Sequence, residues 1–155
     1  MPNWAYSVKE IDPERSVRCS GRELRISPKA ATEICRTIKG MRLEEAKELL
    51  EAVVSKKRPI AYRRYKKEVP HKSHSERWHA GRYPTKAATK ILRLLEELQS
   101  NAEYKGLDVD RLRIVHAASQ RGMKLRNYTP RAYGRSSPSF NVLTHIELIG
   151  YEAQA

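Results

Sequence analysis

Cysteine is scarce in this 155-residue chain, which has only Cys19 and Cys35. Two thiols do not make a disulfide framework, so the chain reads as a reduced, cytoplasmic protein that folds by burying apolar side chains. On that reading the Asn127-Tyr128-Thr129 sequon is a chance match. Long apolar runs are lacking too. None approaches the roughly 20 residues that span a bilayer. Met1 to Val8 is mixed in character and followed at once by charges, which is unlike a signal peptide. Catalytic signatures are missing: there is no phosphate-binding glycine loop and no GxSxG elbow. The acids keep to helix faces, whereas a magnesium-dependent nuclease would set carboxylates beside its basic groove. These absences argue against an enzyme. Acid is also absent from one long stretch, because residues 111–138 hold seven Lys/Arg and no Asp or Glu.

What is present is positive charge, unevenly placed. The formal net charge is +13 and the isoelectric point about 10. Residues 56–86 carry eleven Lys/Arg against Glu68 and Glu76. With residues 111–138 they account for the whole positive excess, and the remainder is slightly acidic. A solvated basic face is the plain alternative. Solubility alone would not need such segregation, so a polyanionic partner is the natural reading. With 39% apolar residues, the length suits one domain with a modest core.

The periodicities predict an α+β fold. Residues 1–16 carry Asp12-Pro13 and no clear period, and read as an extended arm. Val17 to Ile26 reads as a strand. Ser27-Pro28 opens a helix, with Ser27 suited to accept a free backbone N–H and Pro28 suited to the first helical position. Ala31, Ile34, Cys35 and Ile38 share a face, and Gly40 ends the helix. Cys35 reads as core rather than reactive. A second helix, Leu43 to Ser55, has the stripe Ala46, Leu49, Leu50 and Val53. Glu44, Glu45, Glu48 and Glu51 read as its solvated face, with some pairing to Arg42 and Lys47, rather than as metal ligands. Pro84 opens a long third helix to about Tyr104, with Ala87, Ala88, Ile91, Leu92, Leu95, Leu98 and Ala102 buried and Gly106 as the stop. Leu112 to Ala118 and Asn141 to Ile149 read as strands, the latter with Val142, Thr144, Ile146 and Leu148 on one face.

Between the second and third helices, residues 56–83 form a basic insertion punctuated by Pro59, Pro70 and Gly81. Tyr62, Tyr65, Trp78 and Tyr83 are interleaved with its cations. Lysine and arginine neutralise phosphates while aromatic faces stack on exposed bases. The candidate RNA-binding residues here are Lys56, Lys57, Arg58, Arg63, Arg64, Lys66, Lys67, Lys72, Arg77, Trp78, Arg82 and Tyr83. Such a segment would pack poorly alone and be ordered by a partner. His71, His74 and His79 invite a zinc reading, but their spacing matches no standard finger and no cysteine is near. No metal or cofactor is expected.

Residues 113–140 read as an extended β-hairpin, with Arg121, Lys124, Arg126, Arg131 and Arg135 as further RNA-binding candidates. One arm of it, residues 113–129, reaches roughly 55 Å at about 3.3 Å per residue. That is several times the radius of gyration of a compact domain this long, so the hairpin must project. Its tip is expected at Arg126, Asn127, Tyr128, Thr129, Pro130, Arg131 and Tyr133. An isolated two-stranded ribbon is marginal in water. A basic one without acids expects an anionic surface along its length, the alternative being a floppy surface loop.

Several segments together are similar to one known family. Ile26-Ser27-Pro28-Lys29-Ala30-Ala31 resembles the first-helix opening of the ribosomal protein L-twenty-two family. Asn101-Ala102-Glu103 with Gly106-Leu107-Asp108-Val109-Asp110 resembles its third-helix exit. Arg131-Ala132-Tyr133-Gly134-Arg135, followed by His145-Ile146-Glu147-Leu148, resembles its hairpin and last strand. The likeness covers about residues 17–150 in order, and departs from the family at Gly150, usually an aliphatic position. The insertion, with Gly81-Arg82-Tyr83-Pro84, resembles the archaeal and eukaryotic branch, whose eukaryotic member is numbered seventeen. The resemblance implies three helices on a three-stranded antiparallel sheet. It also implies binding to several domains of large-subunit rRNA, help in assembly, and a body near the mouth of the polypeptide exit tunnel. The hairpin, Arg121 to Arg135, would line the tunnel near the L-four protein, with the nascent chain passing by and no membrane involved. A rival reading is a DNA-bending protein, which also extends basic β-arms and could use Pro130 as a wedge. It predicts a homodimer and leaves the insertion without a role.

Overall fold

The computed structural model describes residues 5–72 and 78–153. The expectations for His74, Glu76 and Arg77 fall outside these residues. Strand β1 (Ser16–Leu24) is followed by helices α1 (Pro28–Ile38) and α2 (Leu43–Val54). The insertion contributes two short strands, β2 (Ile60–Ala61) and β3 (Gly81–Arg82). Then come α3 (Thr85–Lys105), β4 (Leu112–Pro130) and β5 (Ser136–Glu152). The main sheet is antiparallel in the order β1-β5-β4, and β2-β3 is a separate ribbon. Among the described residues there are thus three α-helices against a three-stranded sheet, the α+β arrangement the periodicities predict.

Helix starts and stops follow the local chemistry, with one difference. Pro28 occupies the first turn of α1, but the Ser27 side chain makes no capping bond. The Ser27 carbonyl accepts the Ala31 N–H at 3.0 Å, while the Thr32 hydroxyl donates to the Pro28 carbonyl at 2.7 Å. Gly40, at φ +91°, turns the chain so that its N–H reaches the Ile114 carbonyl at 2.7 Å and ties α1 to the sheet. Gly106, at φ +71°, ends α3. The buried side of α3 includes Leu94, with Leu92 only half buried, a correction to the stripe read from the sequence. Leu94 packs over Gly21 of β1, where a Cβ would lie 2.8 Å from its methyl. The missing side chain is what admits it.

Strand β5 is the centre of the sheet. Its inner face presents Thr144, Ile146 and Leu148 to the helices, paired with Leu24, Gly21 and Cys19 of β1. Residues 143–150 are nevertheless buried on both faces, so simple alternation understates their burial. On the outer face the N-terminal arm returns to the sheet. The Ser7 backbone N–H and hydroxyl both donate to Glu147 Oε2, at 3.1 and 2.7 Å, and the Gln120 amide donates to Oε1 at 3.1 Å. His116 Nε2 lies 3.7 Å from the same carboxylate. His145 Nδ1 accepts the Glu23 N–H at 3.0 Å, and its ring covers Gly122. At Gly150 the strand continues to Glu152. A Cβ there would sit 3.0 Å from Val17 Cγ1 and 3.1 Å from Leu112 Cδ2, so these two side chains fill the space that a larger residue would take.

Beyond the body the β4–β5 ladder goes on without a core. Pairing resumes after a bulge at Lys124↔Val142 and runs to Pro130↔Ser136. The chain reverses at Ala132–Gly134, with Tyr133 (φ +56°) and Gly134 (φ +66°) both in the left-handed region. The Arg131 N–H donates to the Arg135 carbonyl at 2.8 Å and closes the turn. Tyr128 and Phe140 meet edge to face at 6.0 Å, both exposed.

The body should therefore fold without the arm. Replacing residues 127–139 by Asn-Gly keeps Arg126 opposite Phe140, as the register requires. The expected change in unfolding free energy is under about 1 kcal/mol. Leu95→Asp, at a fully buried position, should cost several kcal/mol. Denaturant melts of the two variants test this, and equal losses would contradict the division. Glu147 yields a pH expectation. Burial opposes its ionisation, but the Ser7 hydrogen bonds, His116 and Arg22 outweigh it and hold its pKa below the ordinary 4.5. A carboxylate with a depressed folded-state pKa stabilises above its unfolded value and loses that contribution as pH falls through the folded one. The stability gap between wild type and Glu147→Gln should be full above pH 4.5 and shrink below it. A gap independent of pH would show that the charge does not hold the arm.

Candidate nucleic-acid interface

The insertion is anchored by a residue that its own composition does not reveal. Glu33 of α1 is 1% exposed. Its Oε1 accepts the backbone N–H groups of Arg64 and Tyr65 at 2.8 and 2.9 Å, and its Oε2 accepts that of Arg63 at 3.1 Å. Three donors converge on one carboxylate because residues 63–65 curl over the end of its side chain. Hydrogen bonds to an ionised acceptor are the stronger kind, and they satisfy a charge that would be costly to bury alone. The clamp leaves the side chains of Arg63 and Arg64 pointing to solvent, both exposed.

Several described residues of the insertion pack against the body. Pro59 and Ile60 are buried, Tyr62 is 6% exposed within the core, and Tyr65 and Val69 pack against it. Burial, above all, pushes the Tyr62 hydroxyl up to about 12. Tyr62 is thus part of the core rather than a stacking platform. Trp78 is half buried, and its indole N–H donates to the Tyr62 carbonyl at 2.8 Å. Lys66 and Arg63 lie 5.6 and 6.0 Å from its ring centre. The Tyr62 N–H bonds the Ala80 carbonyl at 2.9 Å, and the Lys72 N–H bonds the His79 carbonyl at 2.8 Å, joining the two sides of the insertion.

The candidate residues then fall into four places. Arg64, Lys66, Lys67, Arg82 and Tyr83 line a cleft of about 710 Å³ beside the starts of α1 and α3, together with Lys29, Tyr65 and Lys86. Lys72 stands 5.6 Å over the Tyr83 ring. Arg121 lines a second cleft of about 700 Å³ at the root of the hairpin, with Arg25, Lys29 and Lys86. Lys124, Arg126, Arg131 and Arg135 are exposed along the arm, and Tyr133 at its turn is 98% exposed. Arg126 to Thr129 lie in the ladder, so the reversal itself is confined to residues after Arg131. Lys56, Lys57 and Arg58 are exposed at the end of α2, in neither cleft. Sequence reasoning did not single out Arg25 and Lys29, which lie outside the basic segments, or Lys86, which ends one of them. The one available signal was a basic residue at each helix opening, Pro28-Lys29 and Thr85-Lys86.

Nucleophilic chemistry finds no support at the thiols. Burial first, and the neighbouring Glu97 second, push Cys19 up to about 12, and burial does the same to Cys35. Glu44, Glu45, Glu48 and Glu51 are all exposed on α2. Among the described residues no group of three His, Cys, Asp or Glu is placed to hold a metal ion, and no helix is long and apolar enough to cross a membrane.

These features define a class: an α+β protein with a small antiparallel sheet and a single projecting basic β-arm. The chain belongs to the ribosomal protein L22p/L17e family, whose model matches residues 19–150. It is similar to large ribosomal subunit protein uL22 of Methanopyrus kandleri, 51% identical over 95% of this chain and 94% of the relative. The protein of the same description from Archaeoglobus fulgidus is 50% identical over 93% of each chain. That of Cenarchaeum symbiosum is 49% identical over 99% of this chain and all of its own. These relatives are archaeal, and identities near half over nearly the full chain place it in the archaeal-type branch.

The clamp makes a prediction. Glu33→Ala leaves three N–H groups without their acceptor and should destabilise the protein by about 3 kcal/mol or more. Amide exchange at Arg63 to Tyr65 should speed up more than exchange in α3. Unchanged exchange at those three amides would show that the carboxylate does not hold the insertion.

Proposed function

We propose that this protein is a structural constituent of the large ribosomal subunit that binds large-subunit rRNA and has no catalytic role. Family membership over residues 19–150 carries the reading. The acid-free basic arm and the clamped basic insertion say what the chain would do there. Phosphates are neutralised along the arm by Lys124, Arg126, Arg131 and Arg135. The insertion grips a second stretch of RNA. A protein with two separated basic features can hold several rRNA domains together and so aid assembly. The arm lines the polypeptide exit tunnel, with Arg131 and Tyr133 at its turn nearest the L-four protein and the nascent chain, while the body sits near the tunnel exit. A basic arm alone would suit a DNA-bending protein equally well. The family match and the second basic feature favour the ribosome.

Fractionation tests the reading: the chain should sediment with large subunits and survive a moderate salt wash. Recovery with chromatin, or at the top of the gradient, would refute it. Affinity for large-subunit rRNA should fall with salt by about 0.7 to 0.9 log units per log unit for each phosphate neutralised. Changing Lys124, Arg126, Arg131 and Arg135 together to Gln should therefore lower that slope by about three. An unchanged slope would remove the arm from the RNA interface.

A further inference from the structure

We infer that the cleft beside the starts of α1 and α3 receives one unstacked nucleotide from a single-stranded segment of RNA, its phosphate held by Lys29 and Lys86 and its base lodged at Tyr65 and Tyr83. The inference rests on the RNA-binding reading above and names a site within it. At about 710 Å³ the cleft falls in the range of pockets that enclose small ligands, with room for a nucleotide. Its cations far outnumber its acids, since Glu68 is the one carboxylate among the lining residues. Tyrosines inside a cationic rim suit a base that has left its stack, because a base within a duplex offers no free face. Lys29 and Arg64 stand 5.8 and 5.7 Å from the Tyr65 ring centre. Those contacts hold the ring in place and keep both charges at the cleft.

The floor is built before any ligand arrives. Glu33 fixes the backbone of Arg64 and Tyr65. The Arg82 guanidinium donates to the Glu68 carbonyl at 2.9 Å, which fixes the opposite wall. Preorganisation of this kind reduces the ordering that binding requires. The cleft also continues beyond its mouth. The second cleft, at the hairpin root, shares Ser27, Lys29 and Lys86 with it and adds Arg25 and Arg121. One strand can therefore run from the insertion, past the two helix openings, to the root of the arm.

The test uses the full chain, isotope-labelled, titrated at low salt with a single-stranded RNA hexamer, a blunt duplex of the same composition, and inorganic phosphate. The hexamer should shift the amides of Lys29, Tyr65, Tyr83 and Lys86, and the duplex and phosphate should not reproduce that pattern. Tyr83→Leu removes no charge. It should weaken the hexamer about tenfold and leave its salt slope unchanged. Lys29→Gln with Lys86→Gln should weaken it and lower the slope by about one to two. Lys39→Gln with Arg93→Gln, an equal loss of charge at exposed positions outside both clefts and the arm, should spare hexamer binding. Spectra of the free variants check that each is folded, and Tyr65→Leu serves as a second probe if Tyr83→Leu is not. If duplex or phosphate gives the same shifts, or the tyrosine variants bind as wild type does, the cleft is only a charged surface and the proposal falls. If the hexamer fails to bind while large-subunit rRNA binds with its steep salt slope, the cleft proposal falls and the RNA reading stands. If neither RNA binds, both fall.

Discussion

The backbone ladder between β4 and β5 is the constraint on which the rest of the molecule depends. One continuous pairing serves two environments. Near the chain's end it carries Ile114, Ile146 and Leu148 into the core. Farther out it carries exposed arginine and lysine into solvent. Main-chain hydrogen bonds do not distinguish the two, so side chains on the arm are free of packing demands and can be chosen for a partner. The cost is that an isolated ribbon is barely stable in water. Here the core end of the same ladder supplies the register. The arm is thus positioned by residues that take no part in its chemistry.

Two buried carboxylates join the irregular segments to that framework. Glu33 gathers the insertion by its backbone, and Glu147 gathers the N-terminal arm through Ser7. Both bind N–H or O–H donors, Glu33 those of three backbone amides and Glu147 those of Ser7, with His116 3.7 Å from the latter. In so basic a protein this matters. A carboxylate spent on a lysine would cancel charge needed outside, whereas one bound to backbone donors organises cationic segments and leaves their side chains free. Arg63 and Arg64 show the result: their N–H groups point in and their guanidinium groups point out.

Much of the fold was legible from local pattern. The three helices follow apolar stripes at helical spacing, with Pro28 and Pro84 at the openings and Gly40 and Gly106 at the ends. The projecting arm follows from twenty-odd residues with neither core side chains nor acids. Segregation of charge located two of the basic surfaces. Within the insertion the aromatic residues divide. Interleaved tyrosines and a tryptophan looked like a set of stacking faces, yet Tyr62 is core and Trp78 braces the Tyr62 carbonyl. Composition counts aromatic rings but does not tell which of them face inward.

By itself, then, the sequence determined the elements, the length of the arm and the sign of its charge, because each depends on residues two to four apart or on composition over a window. Tertiary structure alone decided which acids are structural, why both faces of β5 are closed, and which cations share a cleft. Glu33 lies thirty residues from its partners and Glu147 lies 140 from Ser7. Lys29 meets Lys86 only because α1 and α3 start side by side. Contacts at such separations leave no periodic trace in the chain. They arise when the apolar stripes pack, and packing fixes where every polar side chain on those elements must go.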